Sequence, residues 1–122
     1  MVAFNFQSQF VAAIQSGEKR QTIRRTARAS VGDRLQLYTG MRTKACRKLI
    51  SPDPICTMCH YVALRPDGIT FGDASLFPSA DEFARQDGFR DYDDMHRWFT
   101  ERYGDAYFVG RLVRWRLVEA AP

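Results

Sequence analysis

Ser16-Gly-Glu-Lys-Arg-Gln-Thr-Ile-Arg-Arg25 separates two kinds of sequence. Upstream of it, Phe6, Phe10, Ala13 and Ile14 recur at helical spacing. That period predicts an amphipathic helix over Gln7–Ser16, with Gly17 as its C-cap. Within Glu18–Ser30 the helical period is gone, and five basic residues follow: Lys19, Arg20, Arg24, Arg25 and Arg28. Apart from Ile23 nothing there is apolar in a pattern, so the stretch reads as a loop or short extended segment on the surface. Val31-Gly32-Asp33 then turns the chain into Arg34–Tyr38, where Leu35 and Leu37 alternate with polar residues as in a half-buried strand.

Working outward, strands are expected at Arg42–Ile50 and Ile55–Leu64, joined as a hairpin by Ser51-Pro-Asp-Pro54. Arg65-Pro-Asp-Gly68 is a second turn, leading to a short strand near Ile69–Phe71. Ser79-Ala-Asp-Glu82 has the form of a capping box and opens a helix. Asp91 caps another, in which Tyr92, Met95, Trp98, Phe99 and Tyr103 share one face read as core, and Gly104 ends it. Tyr107–Val118, rich in Val, Leu, Phe and Trp, is a long strand. The order predicts an α+β fold in one domain over 1–122, with about five to six mostly antiparallel strands and about three helices. Its first and last segments meet in a small, strongly bent sheet or partly closed barrel.

The 122 residues are 45% hydrophobic and 13% aromatic, enough for a packed core, which excludes a disordered linker. The net charge of +4 is unevenly spread. Residues 1–50 hold ten basic and two acidic side chains, whereas residues 51–110 hold five basic and eleven acidic. Either the fold presents a positive face suited to phosphate-bearing partners, or the two segments neutralise each other. No apolar run is long enough for a bilayer, no secretory leader is visible, and three cysteines do not make a disulfide framework. The expectation is a reduced, cytoplasmic protein without a membrane partner. Cys56-Thr-Met-Cys59-His60 spells the haem-attachment pattern, but in a strand and without an export signal. With Cys46 on the neighbouring hairpin strand, Cys56, Cys59 and His60 also make a conceivable zinc set; buried free thiols are favoured, and no metal or cofactor is expected. His96 points away from the aromatic stripe and is read as solvated. Asp91, Asp93 and Asp94 are explained by the helix N-terminus.

The chemistry concentrates in the opening stretch. In an extended segment Thr22 and Arg24 project to one side and Ile23 to the other. Lys19 joins Thr22 only if the chain bends at Arg20-Gln21. If it does, a lysine whose pKa is pushed down by neighbouring cations stands beside a hydroxyl that needs a base. The bland reading keeps the cations solvated and Thr22 an ordinary strand residue.

The stretch Ser-Gly-Glu-Lys-Arg-Gln-Thr-Ile-Arg, the later Gly32-Asp33-Arg34-Leu35, the helix at Asp91–Tyr103 and the strand Tyr107–Arg116 resemble an ASCH domain, in particular the short bacterial and phage-type members. The resemblance runs from Phe4 to about Val118. It implies a PUA-like small β-barrel with flanking helices and a basic cleft for RNA or nucleosides. One branch hydrolyses the acetyl amide of N4-acetylcytidine with a Lys, a Thr and a Glu, which fall on Lys19, Thr22 and Asp87, aspartate standing where the family has glutamate and Glu82 being the alternative. Thr22 would attack the carbonyl, Lys19 would take its proton, Arg24 would face the oxyanion, and Asp87 would help protonate the leaving amine. Without catalysis, Lys19, Arg20, Arg24, Arg25, Arg42 and Lys44 would hold RNA phosphates, with Tyr38 or Trp115 as a stacking face. A ribonuclease, as elsewhere in the family, and a module for an acidic protein partner are further readings. A monomer or weak dimer is expected.

Overall fold

Alternation of buried Phe4 and Phe6 with exposed neighbours makes the first residues a strand, β1 (Val2–Phe6). The computed structural model describes residues 2–71 and 79–119. A 3-10 turn, Ser8–Phe10, leads into helix α1 (Val11–Ser16), which buries Val11 and Ile14. Gly17 (φ +85°) ends it, donating its N–H to the Ile14 carbonyl at 3.2 Å. Then follow β2 (Gln21–Arg24), β3 (Leu35–Thr39), β4 (Arg47–Lys48), β5 (Ile55–Arg65), β6 (Gly68–Phe71), α2 (Ala80–Gln86), α3 (Tyr92–Tyr103) and β7 (Phe108–Arg116).

The fold is α+β, with seven strands in two sheets. One sheet runs β1-β3-β4, with β1 parallel to β3; the other runs β2-β7-β5-β6 and is antiparallel throughout. An isolated bridge between Arg34 and Ile55 joins them, held by Leu35 N–H on the Pro54 carbonyl and Cys56 N–H on the Asp33 carbonyl, both 2.8 Å. Among the described residues no closed barrel forms. The count exceeds the expected five to six because β1 precedes the first helix.

The expected hairpin is absent. Gly40 and Arg42 both take left-handed conformations (φ +67°), and successive turns carry the chain through Thr43 and Cys46, leaving a two-residue β4. β4 pairs with β3, while β5 pairs with β6 and β7. The segment after Gly17 lies only partly on the surface: Glu18, Arg20, Arg25 and Arg28 are exposed, but its middle is not. Gln21, Thr22 and Ile23 are buried because β2 lies along β7, Thr22 opposite Val113 and Ile23 opposite Leu112.

Both downstream caps form. Ser79 Oγ accepts from Glu82 N–H at 3.1 Å, and Asp91 Oδ1 accepts from Asp94 N–H at 2.8 Å. α3 buries Met95 and Phe99. Tyr92 OH donates to the carbonyls of the β5–β6 turn, 2.7 Å to Arg65 and 2.8 Å to Gly68; burial pushes its pKa up to about 12. His96, expected in solvent, is half-buried: its Nε2 lies 2.7 Å from the Ala106 carbonyl and its ring stacks on Tyr92. Among the described residues no helix is long and apolar enough to cross a membrane.

Candidate functional site

The bend that Lys19 requires is made by two backbone hydrogen bonds. Lys19 N–H donates back to the Ala13 carbonyl at 3.0 Å, and the Arg20 carbonyl accepts from Trp115 N–H at 3.0 Å, which starts the β2–β7 ladder. The Lys19 side chain is thereby turned inward, 2% exposed, with its Nζ 4.9 Å from the centre of the Phe10 ring. It donates to the Asp87 carbonyl and lies 3.6 Å from Asp87 Oδ1. The same carboxylate oxygen accepts from Gln21 Nε2 at 3.2 Å. Asp87 is the C-cap of α2, so a charged side chain at a helix end is delivered to a buried lysine from a distant part of the chain. Gly88 (φ +96°) makes the approach fit: a Cβ there would meet Lys19 Cδ and Phe10 Cδ1 at 3.2 Å.

Thr22 and Arg24 project together from β2, as the strand period requires. Arg24 Nε donates to Thr22 Oγ1 at 3.1 Å, and its Nη2 donates to the Asn5 carbonyl at 2.6 Å. The guanidinium lies over Phe6 (4.8 Å) and Phe4 (5.2 Å). These groups line one pocket with Phe6, Phe10 and Phe89, and with Trp98, Phe99, Arg102 and Tyr103 of α3. Its cavity volume is about 60 Å³.

Burial works on both members of the ion pair and drives them towards the neutral state. It lowers the pKa of Lys19, against the pull of Asp87 and with help from Arg24. It raises the pKa of Asp87, against Lys19 and the Gln21 hydrogen bond. Shifts of opposite sign bring the proton affinities of the two groups closer together, the property asked of a general acid–base unit. Arg24 is lowered too, chiefly by burial. Thr22 Oγ1 accepts from Arg24, and among the described residues its hydroxyl donates to no side-chain or backbone acceptor.

Lys19, Thr22, Arg24 and Asp87 therefore share a pocket. Arg20 does not join them: it is exposed, and its Nε donates to the Gly17 carbonyl at 2.8 Å. Arg25 is exposed beside the site, its guanidinium 4.9 Å from the Tyr103 ring centre. Arg42 and Lys44 are exposed on the β3–β4 loop, whose Met41 N–H donates to Asn5 Oδ1 at 2.9 Å, so the loop is rooted in the pocket wall. Tyr38 is half-buried and donates to Gln36 Oε1 at 3.3 Å. Trp115 is buried edge-on to Phe6 and offers no stacking face. Glu82 sits in the first turn of α2, paired with Arg85 at 3.2 Å, and does not line the pocket.

Sequence reasoning missed Asn5, Trp98, Arg102 and Tyr103. Trp98 and Tyr103, read as core, are half-buried on the pocket wall. The signal available was Arg102 four residues beyond Trp98, which places the cation on the tryptophan's side of the helix, 5.2 Å from its ring. Among the described residues no three His, Cys, Asp or Glu side chains gather as metal ligands. Cys46 is exposed on the β3–β4 loop, away from the β5 cysteines since β4 does not pair with β5. Buried Cys56 donates to the Met58 carbonyl at 3.4 Å, and burial pushes its thiol up. No protein-family model, curated protein or solved structure matches the chain.

Proposed function

We propose that this pocket receives the base of a modified pyrimidine nucleoside, free or within RNA, and hydrolyses its N4-acetyl amide. The observation that carries the reading is the convergence of a hydroxyl, a lysine–carboxylate pair and a guanidinium in one aromatic-walled hollow. Thr22 Oγ attacks the acetyl carbon and its proton passes to Lys19; Arg24 faces the oxyanion that forms. Collapse breaks the C–N bond, the amine leaves with a proton from the Lys19–Asp87 pair, and water then releases acetate from Thr22. The resemblance to ASCH domains supports the same substrate class, and in this reading the two sheets correspond to the wall of an opened PUA-like barrel.

The test is release of cytidine and acetate from N4-acetylcytidine by the full chain, followed by chromatography. The parent turns over; Thr22→Val and Lys19→Met lose about 100-fold or more, and Thr22→Ser keeps part of the rate. Equal turnover by Thr22→Val removes the nucleophile. A second reading, binding without catalysis, is favoured by the hydrogen bonds that already occupy Lys19 and the Thr22 oxygen. Cytidine binding by a parent that releases no acetate selects it.

A further inference from the structure

Among the described residues, two cations of the pocket, Arg24 and Arg102, make no ion pair, although the Asp87 carboxylate acts on Arg24 at longer range. Arg24 spends two of its five N–H donors on Thr22 and Asn5. Arg102, exposed at the end of α3, lies over Trp98 and Tyr103 and, among the described residues, makes no ion pair. The two guanidiniums feel each other's charge, and Arg25 adds a third against the same Tyr103 ring. Like charges gathered on one wall are unfavourable until an anion arrives between them. Asp87, the carboxylate of the pocket, is held by Lys19 and Gln21.

The size of the pocket says where that anion would sit. An ordered water needs about 10–15 Å³ of such space, so a cavity of about 60 Å³ takes a handful of heavy atoms. That admits the acylamino edge of a pyrimidine and leaves no room for the sugar. We propose that Arg102, flanked by Arg25, forms a phosphate subsite at the rim while Arg24, bound to Thr22 on β2, faces the base, so that the ligand is a nucleotide unit rather than a free nucleoside. This rests on the reading of the pocket as a base site. Guanidinium forks suit phosphate oxygens in pairs, and aromatic backing keeps them in place without neutralising them.

Calorimetric titration of the full chain with cytidine, cytidine 5′-monophosphate, a cytidine-containing dinucleotide and inorganic phosphate tests it. The monophosphate or the dinucleotide binds at least about tenfold tighter than cytidine at low salt, and the advantage shrinks as salt rises. The tighter of the two identifies a monoester or a strand as the source of the phosphate. Arg102→Gln, a surface change, removes the advantage, whereas Arg116→Gln, exposed at the end of β7 outside the pocket, keeps it. Equal binding of cytidine and both phosphate esters overturns the subsite and leaves the base site standing. Esters that bind no better than inorganic phosphate overturn the base site and leave the anion site standing. Absence of binding by cytidine and both esters overturns both.

Discussion

Lys19 and Asp87 are both almost wholly buried, and each is the principal counter-charge of the other. Removing one member of such a pair strands the other in a low-dielectric interior, which costs about 3–5 kcal/mol. Lys19→Met is therefore expected to lose stability of that order near neutral pH in urea unfolding. The loss has a pH dependence whose sign can be worked out. Burial already raises Asp87 above its ordinary 3.8, and Lys19 opposes the rise. Without the cation, the folded pKa climbs further, so the variant takes up a proton on folding and gains stability relative to the parent as pH falls through it. The deficit at about pH 5 should be clearly smaller than at about pH 7.5; equal deficits would show that Asp87 is not the stranded group. Lys19→Met/Asp87→Leu, which removes both charges, should recover most of the loss. The same pair shows which parts of the site are written locally. The common side of Thr22 and Arg24 was legible from the strand period, and Lys19 only from its residue type. The inward turn of Lys19 was conditional, since it depends on β2 pairing with β7. Trp98 and Tyr103 were read as core because an apolar helix stripe does not by itself show where the core stops and a pocket wall begins; the spacing of Arg102 from Trp98 was the one local sign.

At the scale of elements, the site depends on how closely β2 lies against β7. Gly110 of β7 has no room for a side chain: a Cβ would stand 2.5 Å from the Arg24 carbonyl and 2.7 Å from Phe108 Cε1. Gly110→Ala must push the end of β2 outward, and Arg24 with it. Overpacking of this kind costs about 1–3 kcal/mol. The expected result is a lowered urea midpoint with an unchanged m-value, together with weaker binding of cytidine 5′-monophosphate; parent-like stability would contradict the close approach. The helix ends are simpler. Asp91→Ala removes the acceptor for Asp94 N–H and should cost about 1 kcal/mol by the same measurement, with ligand binding retained. These caps were legible because cap chemistry is local, and so were β3, β5 and β7, whose apolar content is dense. β1 was not: Phe6 also fits the helical period that follows it, and parallel pairing with β3 is a tertiary event. The hairpin failed for a local reason, the left-handed turn at Gly40 and Arg42, which no residue type at position 42 announces.

Over the whole molecule, the opposed charges of the two halves meet, among the described residues, in two ion pairs and are otherwise not used against each other. Among the described residues, Lys19 and Lys48 are the cations of the first fifty residues that reach a carboxylate, at Asp87 and Asp53. Other carboxylates of the later segment are engaged within it: Asp91 and Asp81 accept helical N–H groups at Asp94 and Tyr92, Asp67 pairs with Arg65, and Glu82 with Arg85. Arg25, Arg28, Arg34, Arg42, Lys44 and Arg47 are left exposed without an ion pair among those residues. Of the two meanings of the uneven sequence charge, a positive surface is the one these contacts favour, and the β3–β4 loop carries it from the pocket wall at Asn5 outward. A single strand of RNA laid along that route would displace counterions in proportion to the phosphates it places against these side chains. Each contact contributes about −0.7 to the slope of log K against log salt. Affinity for a short single-stranded RNA should therefore fall steeply with salt. Replacing Arg42, Lys44 and Arg47 together by Gln should make the slope shallower by about 2, while Arg65→Gln, at the β5–β6 turn, should leave it as it is. A slope that the triple replacement does not change would mean that the strand, if it binds, does not follow the loop.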